Sequence, residues 1–314
     1  MWICARPSSI HRMTSDEAVQ LLLDGFVASV CGLLPVRAVW VHGSLALGDF
    51  QVGRSDFDLV AVLDGPIVDP EALCELHRSL EKTHPLAEKL HCSYMQVDQL
   101  ADASLRHPTW AQQRYFDRPV GAVTRRELAL GDRSLFGPPP SSLLPATTDE
   151  ELAAFIRDDL EHFWYPATRK LTPWYTDIWV DLGLITVARA GVTLTTGHLI
   201  TKQAALSLLP SLGAPASVVT DIHHRRYGPP TRATPPTKRP TPTQPTTAPT
   251  QGAAPTQGAA PTQGAAPAEG ASLTGHPALG RYAALALPSP LWRLRRGQLA
   301  RSFVRRQIAE VLDL

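Results

Sequence analysis

Little in this chain points outward. Thirty lysines and arginines against twenty-nine aspartates and glutamates leave a formal charge of +1 over 314 residues, so no overall field marks a nucleic-acid or anionic-membrane partner. Four cysteines, Cys4, Cys31, Cys74 and Cys92, have neither the C-x-x-C spacing nor the histidine companions of a zinc or iron site. A chain this long needs no covalent staples, and reduced thiols are the expectation. No apolar run approaches the eighteen or more residues of a membrane span, and Met1 to Arg12 lacks the apolar centre of a signal peptide. The expectation is a cytoplasmic, monomeric protein without nucleic-acid or membrane partners. Residues 1–13 read as a loose extension, with Met13 a second candidate start.

What is present concentrates between Val39 and Leu63, VWVHGSLALGDFQVGRSDFDLVAVL. An apolar strand runs into Gly43-Ser44; after a polar turn a second apolar strand carries Asp56 and Asp58. Side chains alternate across a strand, so these two carboxylates share a face. Two acids held side by side repel unless a cation sits between them. Mg²⁺ suits such a pair because it takes one or two protein carboxylates and completes its shell with substrate phosphates. Gly43 lets backbone approach a phosphate, and Ser44 and Ser55 can donate to it.

Thr14-Ser15-Asp16-Glu17 reads as a capping box opening a helix over about 14–33. Strands over about 37–43 and 56–63, a helix over 69–82 and a strand from Leu90 to Val97 follow, making a small mixed sheet with helices. A helix, a short strand and a Pro-rich exit complete residues 14–145. Helical periodicity then takes over across 146–227: Asp149 to Trp164, Asp177 to Gly191, and Thr201 to Leu209. Residues 228–272 hold three copies of PTQGAA and few large apolar groups, the composition of a disordered linker. Helical spacing returns within 285–314, where Leu291 to Leu312 is expected to dock on the helical domain. Its arginines, Arg296 among them, are expected on a solvated face.

Gly-Ser, an eleven-residue gap and Asp-x-Asp between apolar strands resemble the signature of the nucleotidyltransferase superfamily related to DNA polymerase beta. The segments Thr186-Val-Ala-Arg189, Thr196-Gly197-His198 and Lys202 resemble the helical domain of bacterial aminoglycoside adenylyltransferases of the streptomycin/spectinomycin type. The resemblance implies an α/β nucleotidyltransferase domain followed by an α-helical domain, with ATP and Mg²⁺ as cofactors and AMP transferred to a hydroxyl of an aminoglycoside. It implies that Arg189 and Lys202 contact the triphosphate. Independently, Arg189 lies in the apolar run VARAGV and needs an anionic partner, nucleotide or local carboxylate.

One departure stands out. Members of the family place a Glu at the start of the third strand, where this chain has His91. Glu88 and Asp98 lie an odd number of residues away and face the other side of an unbroken strand. Imidazole accepts protons near neutral pH but binds Mg²⁺ poorly, so His91 can replace a base without replacing a ligand. Trp110, Trp164, Asp177 and Asp181 are the candidate acceptor contacts, since a polycationic sugar needs acids and aromatic faces. Two other readings stand beside this one: a transferase that attaches AMP to a protein, as antitoxins do, and a nucleotide-binding protein whose chemistry His91 has impaired.

Overall fold

The computed structural model describes residues 14–228 and 290–314; the PTQGAA repeats and residues 1–13 lie outside the described residues. Helix α1 (Ser15–Leu33) opens on the expected capping box, with Thr14 accepting from the Glu17 backbone and Glu17 reaching back to the Thr14 N–H. Strand β1 (Val36–His42) ends in the helical turn Gly43–Ala46, and β2 (Phe57–Leu63) follows after a loop. Helix α2 (Pro70–Thr83), capped by Asp69, leads to β3 (Leu90–Gln96). A hairpin, β4 (Arg106–Ala111) and β5 (Arg114–Pro119), then precedes α3 (Ala122–Gly131) and β6 (Arg133–Phe136).

The six strands lie in the order β5-β4-β3-β2-β1-β6, with β2 and β3 parallel and the other neighbours antiparallel. Leu22, Phe26, Val39, Leu59 and Leu73 pack α1 and α2 onto one face. Trp40, Val60, Val62, Met95 and Leu128 pack α3 onto the other. Strands β1, β2 and β3 are therefore buried on both faces along most of their length, which is why β1 and β2 read as continuous apolar runs.

The helical part is built around α5 (Asp177–Thr196), with α4 (Asp149–Asp159), α6 (Lys202–Leu208) and α7 (Ala216–Tyr227) about it. The turn after α4, Leu160–Trp164, widens into a π-helix. Contrary to the sequence expectation, α5 is long and apolar enough to cross a membrane by length and composition; half of it is buried in the helical core. Helix α8 (Pro290–Leu312) supplies Ala300, Phe303, Val304 and Ile308 to that core. Gly297 lets α8 touch the Trp174 carbonyl, where a Cβ would come within 2.4 Å.

Candidate active site

Asp56 and Asp58 stand at the end of β2 beside the β1 turn, because β1 and β2 pair His42 with Asp58. The next strand pairs His91 with Asp58, and His91 Nδ1 lies 3.5 Å from Asp58 Oδ1. Gly43 has φ +63°, and an added Cβ would meet Asp58 Oδ2 at 2.6 Å. The glycine expected to admit a phosphate thus first admits the carboxylate. Burial works against charge on Asp58, but the His91 hydrogen bond and the charges of His42, His91 and Lys202 outweigh it and hold the carboxyl far below its ordinary range. Lys89, from the turn before β3, sits 3.2 Å from Asp56 Oδ1.

Two carboxylates with one oxygen of each countered by a neighbour suit a Mg²⁺ ion shared with nucleotide phosphates, which complete its shell. They do not make a site able to hold a metal unaided. Among the described residues no cluster of three or more His, Cys, Asp or Glu is placed to bind one.

A cleft beside these acids is lined by Ser44, Arg54 and Ser55 from the sheet domain and by Lys202, Arg226 and Tyr227 from the helices. Ser55 Oγ also accepts from the Gln51 N–H, which fixes the loop that carries Arg54. Lys202 links cleft and acids. Burial and the Arg226 charge lower its pKa, while Asp58 and Asp56 oppose that shift. Asp49, 6% exposed, ties the two walls by accepting from the Gln203 N–H at 3.0 Å and from the Tyr227 hydroxyl at 3.1 Å.

Arg189 finds the local carboxylate that its apolar surroundings required. Its Nη2 donates to Glu127 Oε1 at 2.9 Å and its Nε to the Ile200 carbonyl. Glu127 also lies 3.4 Å from His42 Nδ1, and these partners overcome burial to keep its pKa low. Arg189 is thus tied to His42 through Glu127, and its charge adds to the lowering of the Lys202 pKa.

Of the four expected acceptor contacts, two are packed aromatics and two are acids paired with arginines, one of them Arg225 of the cleft wall. Trp110, 2% exposed, stacks on His77 with ring centroids 4.8 Å apart, on the sheet face opposite Asp58. Trp164, 3% exposed, packs edge-on against Phe163 and Trp179 in the helical core. Asp181 takes Arg225 Nη2 at 2.5 Å, and Asp177 takes Arg296 Nη2 at 2.5 Å. Arg225 and Arg296 also both reach Asp221. Arg296 is fully buried, so the expected solvated face of α8 is corrected at this residue: its guanidinium fills the acidic cluster that sequence reasoning reserved for a ligand.

Lys89, Asp49, Glu127, Arg226 and Tyr227 escaped the sequence reading. The run Arg225-Arg226-Tyr227 was the available signal, but it closes a helix with only Val218 and Ile222 buried, next to the repeats.

Residues 23–98 match the family described as "Nucleotidyltransferase domain", a stretch that holds Gly43, Ser44, Ser55, Asp56, Asp58 and His91. The chain is an enzyme of the nucleotidyltransferase class, built as a mixed-sheet domain followed by helices. Among solved structures it is similar to the spectinomycin adenyltransferase AAD(9) from Enterococcus faecialis, solved with ATP and spectinomycin. Identity is 14%, coverage 66% of this chain and 86% of that one, and the TM-score 0.47. No curated protein matches.

Proposed function

We propose that the protein transfers AMP from ATP to a hydroxyl group of a small acceptor, using Mg²⁺. The observation that carries this reading is the register of β1, β2 and β3, which brings Gly43, Asp58 and His91 together beside a cleft walled by Ser44, Ser55, Lys202 and Arg226. Asp56 and Asp58 hold the metal, which when bound screens the phosphates and stabilises the departing pyrophosphate. Ser44, Ser55, Lys202 and Arg226 receive the triphosphate, with Arg189 held nearby by Glu127. His91 takes the proton from the acceptor hydroxyl, whose oxygen bonds the α-phosphorus in line as the bond to pyrophosphate breaks. Asp58, 3.5 Å from His91 Nδ1, orients the imidazole.

An aminoglycoside is the acceptor that the family resemblance implies. Asp177 and Asp181 support it less than the sequence did, because Arg296 and Arg225 already neutralise them. The impaired-enzyme reading keeps one supporting observation, a histidine where the family has a third carboxylate. Purified protein incubated with ATP and Mg²⁺ in the presence of hydroxylated acceptors decides between them. Pyrophosphate release with an AMP adduct on the acceptor supports transfer, whereas ATP binding without release supports impairment.

A further inference from the structure

The sheet edge beyond Asp58 and His91 is cationic. From Asp58 the sheet continues through His91 to Ser93 on β3, Thr109 on β4 and Phe116 on β5, each pair in direct register or two residues on. Paired residues share a face, and so do residues two apart on one strand. Arg114, Phe116 and Arg118 therefore alternate along the edge strand on the face that carries Asp58 and His91. Arg114 is exposed and Phe116 is 42% exposed, an unusual position for a large ring unless something packs on it.

Arg118 is the residue that needs an explanation. Its Nε donates to Ser93 Oγ at 3.3 Å, and Ser93 is itself held by Thr109. Burial pulls its pKa below the ordinary arginine value and the charge of Asp58 pushes the other way, but the guanidinium remains charged. Among the described residues it has no carboxylate within ion-pair distance. Arg118 is half-buried and its compensating charge, Asp58, lies beyond ion-pair distance, so an anionic ligand beside it gains a charge-assisted contact. Asp56 and Asp58 are committed to the metal in the nucleotidyl-transfer reading, and Lys89 already counters Asp56, so neither is left for a cationic acceptor.

We infer that the acceptor carries an anionic group, a phosphate or carboxylate, which Arg118 receives, while Phe116 packs on its body and its hydroxyl meets Asp58 and His91. This assignment rests on the nucleotidyl-transfer reading and narrows it to acceptors of charge opposite to an aminoglycoside. Bidentate recognition of phosphate or carboxylate is the chemistry to which a guanidinium is best fitted.

The test uses the full chain saturated with Mg²⁺ and a non-hydrolysable ATP analogue, so that inorganic phosphate cannot occupy the nucleotide cleft. The Arg118 Nε–H resonance, identified by its loss in Arg118→Gln, is followed during titration with inorganic phosphate, glucose phosphate, glucose and streptomycin. The expected result is a saturable shift with both phosphates and none with glucose or streptomycin. Arg118→Gln should weaken glucose phosphate binding by about tenfold or more, the equivalent of roughly 1.4 kcal/mol, with analogue affinity unchanged. Phe116→Ala, at an exposed position that folding tolerates, should weaken glucose phosphate and spare inorganic phosphate. No shift with either phosphate, or tighter binding of streptomycin than of glucose phosphate, overturns the inference. Failure of the ATP analogue to bind instead contradicts the nucleotide reading, and phosphate titration of the free chain still reports on Arg118.

Discussion

Asp58 owes its position to the absence of a side chain at Gly43. Replacement by alanine asks for a left-handed φ and places a Cβ 2.6 Å from the carboxylate, so either the β1 turn or Asp58 must move. Gly43→Ala should lower the transfer rate by about 10²-fold, because a displaced catalytic group loses alignment, and cost roughly 1–2 kcal/mol of stability in urea unfolding. Full activity in that variant contradicts the geometry given for the site. His91 separates the two functional readings: His91→Ala should depress turnover far more than ATP affinity if it is the base, and an inactive wild type whose His91→Glu variant gains transfer indicates impairment. His77 belongs to the fold instead. Its ring is packed between Trp110 and the Tyr94 hydroxyl, and burial lowers its pKa to about 3 from an ordinary 6.5. The unfolded chain therefore gains a proton that the folded chain refuses as pH falls from 6.5 toward 3, and stability drops across that window. Urea midpoints measured at several pH values should fall more steeply in the wild type than in His77→Phe.

At the scale of elements, periodicity and caps were legible where local sequence and tertiary packing agree. Thr14 and Glu17 announce α1, and the apolar runs of β1 and β2 announce strands buried on both faces. The β4–β5 hairpin was silent because its turn is Gln112-Gln113, both at positive φ, where Asn-Gly is the usual signal. Helix α7 was silent because few of its residues face a core. The Asp56, Asp58 and His91 constellation could be read from strand alternation, since register does the rest. Asp177 and Asp181 could not, because their partners Arg225 and Arg296 lie far along the chain and no pattern predicts that pairing. This buried network fixes α8 to α5 and α7. Removing Arg296 leaves Asp177 only the longer contact to Arg225 at 3.9 Å, so Arg296→Met should destabilise the fold by about 3 kcal/mol in chemical denaturation. The double variant with Asp177→Asn should recover part of that loss, and equal destabilisation of both contradicts the pairing.

At the scale of the molecule, the cleft exists because the sheet domain and the helices meet across it. Asp49 holds the Gln203 N–H and the Tyr227 hydroxyl, Arg189 holds Glu127, and Arg126 holds Asp149 at 2.6 Å. Each bond crosses from the sheet domain to the helices. Asp49→Ala removes the partner of two part-buried donors and loosens the cleft without touching Asp56 or Asp58. Its KM for ATP should rise by about tenfold while the denaturation midpoint falls modestly, reflecting roughly 1–3 kcal/mol for groups left unsatisfied. The most direct test of the whole account is Mg²⁺-dependent ATP binding, measured by calorimetry on the wild type, Asp58→Asn and Lys202→Ala. The wild type should bind ATP tightly only with Mg²⁺, Asp58→Asn should lose the Mg²⁺ dependence, and Lys202→Ala should weaken binding while keeping that dependence. Wild-type affinity indifferent to Mg²⁺, or Asp58→Asn binding identical to wild type, contradicts a nucleotidyl-transfer centre at these residues.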